Sequence, residues 1–235
     1  MGSKAKPINE KFFDTWTEES AYVLGFIYAD GHLQEEKGAM RLWLHNDDKD
    51  ILEQMKAAMA SESNIYQYGK HHKFCVTNKY LTDRLRELGL TPKKSLTIQF
   101  PDVPHEYLRH FIRGYFDGNG HFTYEDKGTG SRRLVSGITC GSESFINVLS
   151  DVLHELGLKR ANVGYIDRRS SGRGVYYQMR YYKTDSIRLY HLMYDNATIY
   201  MRRKKEYADQ YIRDIITPDE FYDAITQEAG GSDLS

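Results

Sequence analysis

Val23-Leu24-Gly25-Phe26-Ile27-Tyr28-Ala29-Asp30-Gly31 has a second copy further along the chain, Ile112-Arg113-Gly114-Tyr115-Phe116-Asp117-Gly118-Asn119-Gly120. Each copy runs from helix-like apolar residues into a glycine, then an aromatic or aliphatic pair, then an acid or amide flanked by glycine. A histidine comes next, His32 in one case and His121 in the other. Gly25 to Gly114 is 89 residues and Asp30 to Asn119 is also 89, so the match is in register. A repeat of this length decides the architecture before any single residue is interpreted.

The elements downstream of each copy repeat too. After the first, the patterning predicts a strand at Met40 to Leu44 and a helix at Lys49 to Met59. A hairpin of Ile65 to Tyr68 with Phe74 to Thr77 comes next, then a helix at Lys79 to Leu88. After the second it predicts a strand at Leu134 to Thr139 and a helix at Glu143 to Glu155. The hairpin is Val163 to Ile166 with Val175 to Tyr181, and the last helix is Lys183 to Met193. Lys79 with Arg84-Leu85 aligns with Lys183 and Arg188-Leu189, each 104 residues on. The shared Glu-Leu-Gly-Leu at 87 and 155 falls after different helices and is a decoy. Strands carry a period of two and helices a period of 3.6. Leu108, Phe111, Ile112, Tyr115 and Phe116 form one apolar helical stripe. The expected class is α+β, two α-β-β-α-β-β-α repeats. An N-terminal arm covers 1–17, the first repeat 18–94, a linker 95–104, the second repeat 105–215 and an acidic tail 216–235. Thr17 before Glu18 and Glu19 reads as the start of the first motif helix. Pro104, with Asp102 or nearby polar groups as cap, reads as the start of the second. A short helix is expected in the tail, from Asp219 to Thr226.

Composition narrows the class. A chain of 235 residues buries a core without staples. Its two cysteines, Cys75 and Cys140, exclude a disulfide framework and a cysteine-built zinc site. The longest apolar run, Ala21 to Ala29, is far short of the ~20 residues of a membrane span, and no signal peptide is legible. The expected location is intracellular, cytoplasmic or organellar, and Met1-Gly2-Ser3 reads as a cloning remnant. Net charge is −1, against the usual basic footprint of a nucleic-acid binder. Its distribution says more. Acids gather in helices and tail (Asp47, Asp48, Asp50, Glu53; Asp219, Glu220, Asp223, Glu228, Asp233), bases in the hairpins. The ribbon Tyr176-Tyr177-Gln178-Met179-Arg180-Tyr181-Tyr182-Lys183 mixes stacking, hydrogen-bonding and cationic groups as a DNA groove requires. No zinc-ligand histidine pair, phosphate-cradling loop or nucleophile–base pair is legible. Gly128-Thr129-Gly130 reads as a hairpin tip.

A glycine inside a helix costs about 1 kcal/mol against alanine, and close helix-to-helix approach is the usual way to recover it. If Gly25 and Gly114 face each other, the C-terminal ends of the helices converge and Asp30 lies beside Asn119. Two carboxylates at that place would make a hard-oxygen site for magnesium. A cation there can activate water and stabilise the leaving oxygen of a phosphodiester. Two amphipathic helices with ordinary glycine C-caps are the competing account of each segment alone. The in-register pair argues against it.

The paired segments resemble the two signature helices of a single-chain LAGLIDADG homing endonuclease, over nearly the whole chain from about Glu18 to about Ile215. The resemblance implies motif helices at the domain interface, saddle-shaped antiparallel sheets over the DNA, and a monomer without an obligate protein partner. It implies a site-specific double-stranded DNA endonuclease of the intron or intein homing type, with a target of about 20 base pairs read partly through DNA shape. The implied cofactor is Mg2+, with Mn2+ or Ca2+ able to substitute, Ca2+ without cleavage. Metal ligands would be Asp30 and the residue at 119, with Ala29 and Gly118 beside them. Lys94 and Lys204 would sit near the scissile phosphates. Asn46 and Gly141, each after the second strand of its half, would take the polar supporting position. The sequence departs from the family at Asn119, where a second carboxylate is expected; Asp117 is a weaker fallback acid. An introduced inactivating change, a natural nickase and a degenerate copy that only binds all fit that departure. Groove contacts are expected from Gln34, Arg41, Trp43, His45, Tyr68, Lys70, His72 and Lys73. In the second half they are expected from Tyr124, Arg132, Arg133, Arg168, Arg169, Arg173, Gln178 and Arg180. The alternative is a non-cutting nucleic-acid binder on the same fold, a maturase or a transcription factor.

Overall fold

The computed structural model describes residues 6–34, 38–126, 128, 132–172, 174–215, 222 and 226. The first motif becomes helix α1 (Glu18–Asp30). Thr17 and Ser20 cap it reciprocally, each side-chain oxygen accepting the other's backbone N–H. Strands β1 (His32–Leu33) and β2 (Ala39–His45) come next, then α2 (Lys49–Ala58), the hairpin β3 (Ile65–Tyr68) and β4 (His71–Thr77), and α3 (Lys79–Glu87). The second motif becomes α4 (Leu108–Asn119), followed by β5 (Gly120–Asp126), β6 (Arg132–Cys140) and α5 (Glu143–Glu155). The hairpin β7 (Gly164–Asp167) and β8 (Val175–Tyr182) precedes α6 (Thr184–Tyr194). Both halves therefore have the expected α-β-β-α-β-β-α order. Each builds an antiparallel four-stranded sheet, ordered β1-β2-β4-β3 and β5-β6-β8-β7.

Three features depart from the sequence expectation. The basic run at 202 opens a further helix, α7 (Arg202–Ile215), which packs on β5, β6 and α6. Pro104 starts a single 3-10 turn (His105–Tyr107) rather than α4 itself, and neither start receives a side-chain cap. The linker is extended except for another 3-10 turn at Lys94–Leu96. Of the acidic tail, only Tyr222 and Thr226 are described, so the expected helix there lies outside the described residues. The Glu-Leu-Gly-Leu decoy has a structural meaning. Gly89 (φ 92) and Gly157 (φ 96) end α3 and α5 in left-handed caps, and the N–H of Leu90 and of Leu158 returns to the carbonyl of Leu85 and of Leu153.

The two motif helices cross at their glycines. A Cβ on Gly25 would collide with the Phe111 carbonyl and stand 2.9 Å from the Tyr115 nitrogen. One on Gly114 would collide with the Tyr22 carbonyl and stand 2.9 Å from the Phe26 nitrogen. Backbone thus lies on backbone, and only glycine permits it. The core continues from this crossing into both sheets through Tyr22, Phe26, Phe74, Phe111, Tyr115 and Phe145, all essentially inaccessible. Among the described residues no helix is long and apolar enough to cross a membrane.

Candidate nucleic-acid interface and catalytic centre

Asp30 and Asn119 are the last residues of α1 and α4, and each helix is closed by the following glycine. The crossing brings both to one open cleft of about 410 Å³, together with Ala29, Lys94, Tyr115, Thr139, Cys140 and Gly141. Asn119 is held by its surroundings: its side-chain Nδ2 donates to the Tyr115 hydroxyl at 3.5 Å, and Thr139 Oγ1 donates to its backbone carbonyl at 3.4 Å. Packing at the helix ends is equally close, for a Cβ on Gly118 would overlap that of Ala29. Asp30 stands exposed at the cleft, yet the protein around its carboxylate desolvates it and raises its pKa. Lys204 and Lys94 oppose that rise and Asp48 adds to it.

Lys94 and Lys204 are both buried, which is unusual for lysine. Burial pulls each down to about 8, against the pull of Asp30 on Lys94 and of Asp117 on Lys204. Their anchoring differs. Lys94 Nζ donates to the Ala29 carbonyl at 3.4 Å. Lys204 Nζ donates to three carbonyls at the end of α4 and just beyond it, Phe116 at 2.9 Å and Asp117 and Gly120 at 2.6 Å.

Asp117 is not a cleft acid. It is fully buried and accepts from the Tyr22 hydroxyl (2.7 Å), the Tyr194 hydroxyl (2.6 Å) and the Met201 amide (2.8 Å), while burial raises its pKa. Arg113, one turn earlier, donates to the carbonyls of Ile199 and Met193 and to Glu18. The two ends of the 193–201 segment are thereby tied to α4. Its far end is tied to the first half, where Gln54 exchanges two hydrogen bonds with the Tyr200 backbone and Arg203 pairs with Asp48 at 2.9 Å. A charged pair inside an apolar motif helix was the sequence signal for this network.

The expected equivalence of Asn46 and Gly141 is corrected by strand register. His32 pairs with Arg41 and His121 with Gly137, which aligns Gly141 with His45. Asn46 belongs to a 3-10 turn (Asn46–Asp48) inserted in the first half, where its Nδ2 reaches the Gly69 carbonyl. Gly141 is bare because the linker crosses it: a Cβ there would collide with the Ser95 carbonyl.

The sheet faces not covered by helices sort the remaining residues. On the first, Trp43 stacks on Tyr68 (ring centroids 5.4 Å apart), Lys73 lies over the Tyr68 ring, and Arg41 and His45 share the face. His72 does not belong there. Alternation along β4 buries it on the helix side and turns His71 outward beside Trp43. Tyr124 is likewise turned to the helix side, where it stacks on Tyr207 and Tyr211 of α7. Arg132 shares its parity with buried Leu134 and so leaves the outward row to Arg133. Gln178, Arg180 and His121 lie on the outward face, and the sequence pattern alone did not single out His121. Lys70 is at an exposed turn, while Gln34 follows β1 partly buried. Arg168 and Arg169 are exposed beyond β7, Arg169 held by Asp167, and Arg173 lies outside the described residues.

A family model described as a LAGLIDADG-like domain matches residues 106–193, the second repeat. The chain as a whole superposes on I-GzeII in complex with its DNA target with a TM-score of 0.58, at 13% identity, covering 89% of this chain and 96% of that one. The chain has the two-repeat LAGLIDADG fold. I-LtrWI bound to target DNA (TM-score 0.53, 17% identity, 92% and 96% covered) shares it. So does I-DmoI in complex with DNA and Ca (0.54, 18%, 82% and 97%). Among curated proteins, a reverse gyrase of Methanocaldococcus jannaschii is 24% identical over 221 residues, 91% of this chain and 13% of that protein. A glutamine–fructose-6-phosphate aminotransferase of the same organism is 27% identical over 158 residues, 63% of this chain and 14% of that protein. The chain therefore spans about one-seventh of the length of these curated relatives.

Proposed function

We propose that this LAGLIDADG chain is a site-specific endonuclease for double-stranded DNA of the homing type, acting with a divalent metal and weakened or reduced to nicking by Asn119. One observation carries the proposal: the glycine crossing delivers Asp30 and Asn119 to a single cleft, with Lys94 beside them. The uncovered sheet faces, with Trp43, Lys73, Gln178 and Arg180, would carry the DNA, lysines positioning on phosphate and arginine and glutamine meeting base edges. Homing is supported by the relatives, since similar segments occupy a small part of two enzymes with unrelated names.

The donor set suits a hard cation that keeps water and phosphate oxygens as ligands. Asp30 would supply the charged ligand, Asn119 Oδ1 a neutral one, and the Ala29 and Gly118 carbonyls the remaining protein oxygens. Among the described residues no group of three or more His, Cys, Asp or Glu could hold a metal, so DNA phosphates would complete the shell. Magnesium, when bound, would activate water and stabilise the leaving phosphodiester oxygen. Asp30 holds negative charge at the cleft, and Lys94 offsets that of the approaching phosphate. Tyr115 orients the Asn119 side-chain amide, and Thr139 holds its backbone carbonyl. Asn119 is also the observation that favours a second reading, a binder that no longer cuts.

Cleavage of a supercoiled plasmid library with magnesium tests both. Asn119→Asp should linearise a defined site that the parent chain only binds or nicks. If neither cuts and RNA is held as tightly as DNA, the fold serves binding alone.

A further inference from the structure

The uncovered face of the second sheet carries a carboxylate where a DNA-facing surface would be expected to be purely basic. Glu125 on β5 lies in register with Arg133 on β6. Its neighbour Tyr124 turns to α7, which places Glu125 on the outward side. Arg133 Nε and Nη2 both donate to Glu125 Oε2, at 3.1 and 2.6 Å, and Arg180 Nη1 on β8 lies 3.6 Å from Oε1. The Arg133 guanidinium also rests on the Tyr182 ring, 4.3 Å from its centroid. One carboxylate thus spans β5, β6 and β8 and engages two of the arginines that face outward. The described strands of the first sheet contain no acid, and there Lys73 lies over the Tyr68 ring.

A free outward arginine binds the phosphates of any duplex, and each such contact adds to affinity regardless of sequence. An arginine held in a fork by a carboxylate has lost that freedom but has gained a defined direction, which bidentate contact with a guanine edge demands. A carboxylate on this face also repels phosphate. On the proposed reading that these faces carry DNA, we infer that Glu125 is a specificity-determining residue: it holds Arg133 and Arg180 directed outward for base edges and withholds them from the phosphates of unrelated DNA.

The test uses the full chain with a fluorescent duplex of random sequence, titrated across a salt series. Glu125→Gln keeps the shape and removes the charge. It should bind the random duplex several-fold to about tenfold more tightly, with a salt dependence steeper by about 1 to 2 in log K against log salt, as two freed arginines require. Adding Arg133→Gln and Arg180→Gln to that variant should return both quantities to the parent's. In the parent background Lys73→Gln should lower random-duplex affinity more than Arg133→Gln does. Equal affinity and slope for parent and Glu125→Gln, with both chains melting alike, overturns the role of Glu125 alone. Failure of parent and variant alike to bind duplex DNA overturns the DNA-face reading and this inference with it.

Discussion

The two halves repeat one backbone plan and hold it together by different chemistry. In α1 the positions one turn apart after the motif's start are Leu24 and Tyr28, an apolar residue and a phenol whose hydroxyl donates to the Leu88 carbonyl. In α4 the matching positions are Arg113 and Asp117, both buried and both bonded to the 193–201 segment. The lysines differ in the same way, Lys94 held by one long bond and Lys204 by three short ones. The first half is held by packing, and the second by a polar network that requires α7. Repeat symmetry therefore sets where the backbone goes, while local charge sets how firmly each half fixes its lysine.

The largest effect should come where the halves are still equivalent. Gly25→Ala and Gly114→Ala each drive a methyl into the partner's backbone, so neither can be relieved by a rotamer change. Each should lose at least about 3 kcal/mol of stability in urea denaturation. A loss below about 1 kcal/mol in either variant would mean that the helices do not cross at these residues.

The lysines should then part company. Lys204→Met removes a donor from three buried carbonyls, of which Phe116 alone is shown keeping another, the Gly120 amide, and should cost about 3 kcal/mol. Lys94→Met forfeits one long bond while removing a buried charge, and should fall within about 1 kcal/mol of the parent at neutral pH. Equal losses would refute the contrast drawn between the halves.

Titration sharpens the same point. Both lysines sit at about 8 in the folded chain against 10.5 for an unperturbed lysine, so between those values the unfolded chain holds the extra protons. Stability contributed by the neutral amines grows as pH rises from about 8 to 10.5 and is lost over the same interval as pH falls. Across pH 8, 9 and 10 the denaturation midpoint of the parent should gain on that of Lys94→Met, the opposing contribution of the buried tyrosines being common to both chains.

The same asymmetry decides how much of this was legible in the sequence. The order of elements, the glycine crossing and the joint placement of Asp30 and Asn119 were readable because they depend on backbone repetition at 89 residues. His72 faces the helices because β4 begins at His71, three residues before the expected Phe74, so the alternation that buries Phe74 and Val76 reaches back to it. Tyr124 faces the helices because α7, on which it stacks, covers that side of β5. Helix α7 is hidden by its composition, for its first turn is the basic run Arg202, Arg203, Lys204 and Lys205 rather than an apolar stripe. Lys204 is buried all the same, because carbonyls of α4 and β5 satisfy it. The equivalence of Asn46 and Gly141 failed because the inserted 3-10 turn shifts the numbering without altering the pattern of apolar residues.

The smallest effects lie at the starts of the two helices that come after the hairpins. Asn78 caps α3 from an extended backbone, its Oδ1 accepting the Leu81 amide at 2.9 Å. Asn78→Ala should therefore cost about 1 kcal/mol. The corresponding start of α6 has Lys183 at φ 46 and ψ −115, a conformation L side chains rarely adopt, and no side-chain cap. Lys183→Gly relieves that backbone and should be neutral or stabilising by up to about 1 kcal/mol, despite the entropy glycine adds to the unfolded chain. Thermal melts of the two variants should move in opposite directions. A loss in Lys183→Gly as large as that in Asn78→Ala would show that the Lys183 side chain, rather than the register of β8, sets the start of α6.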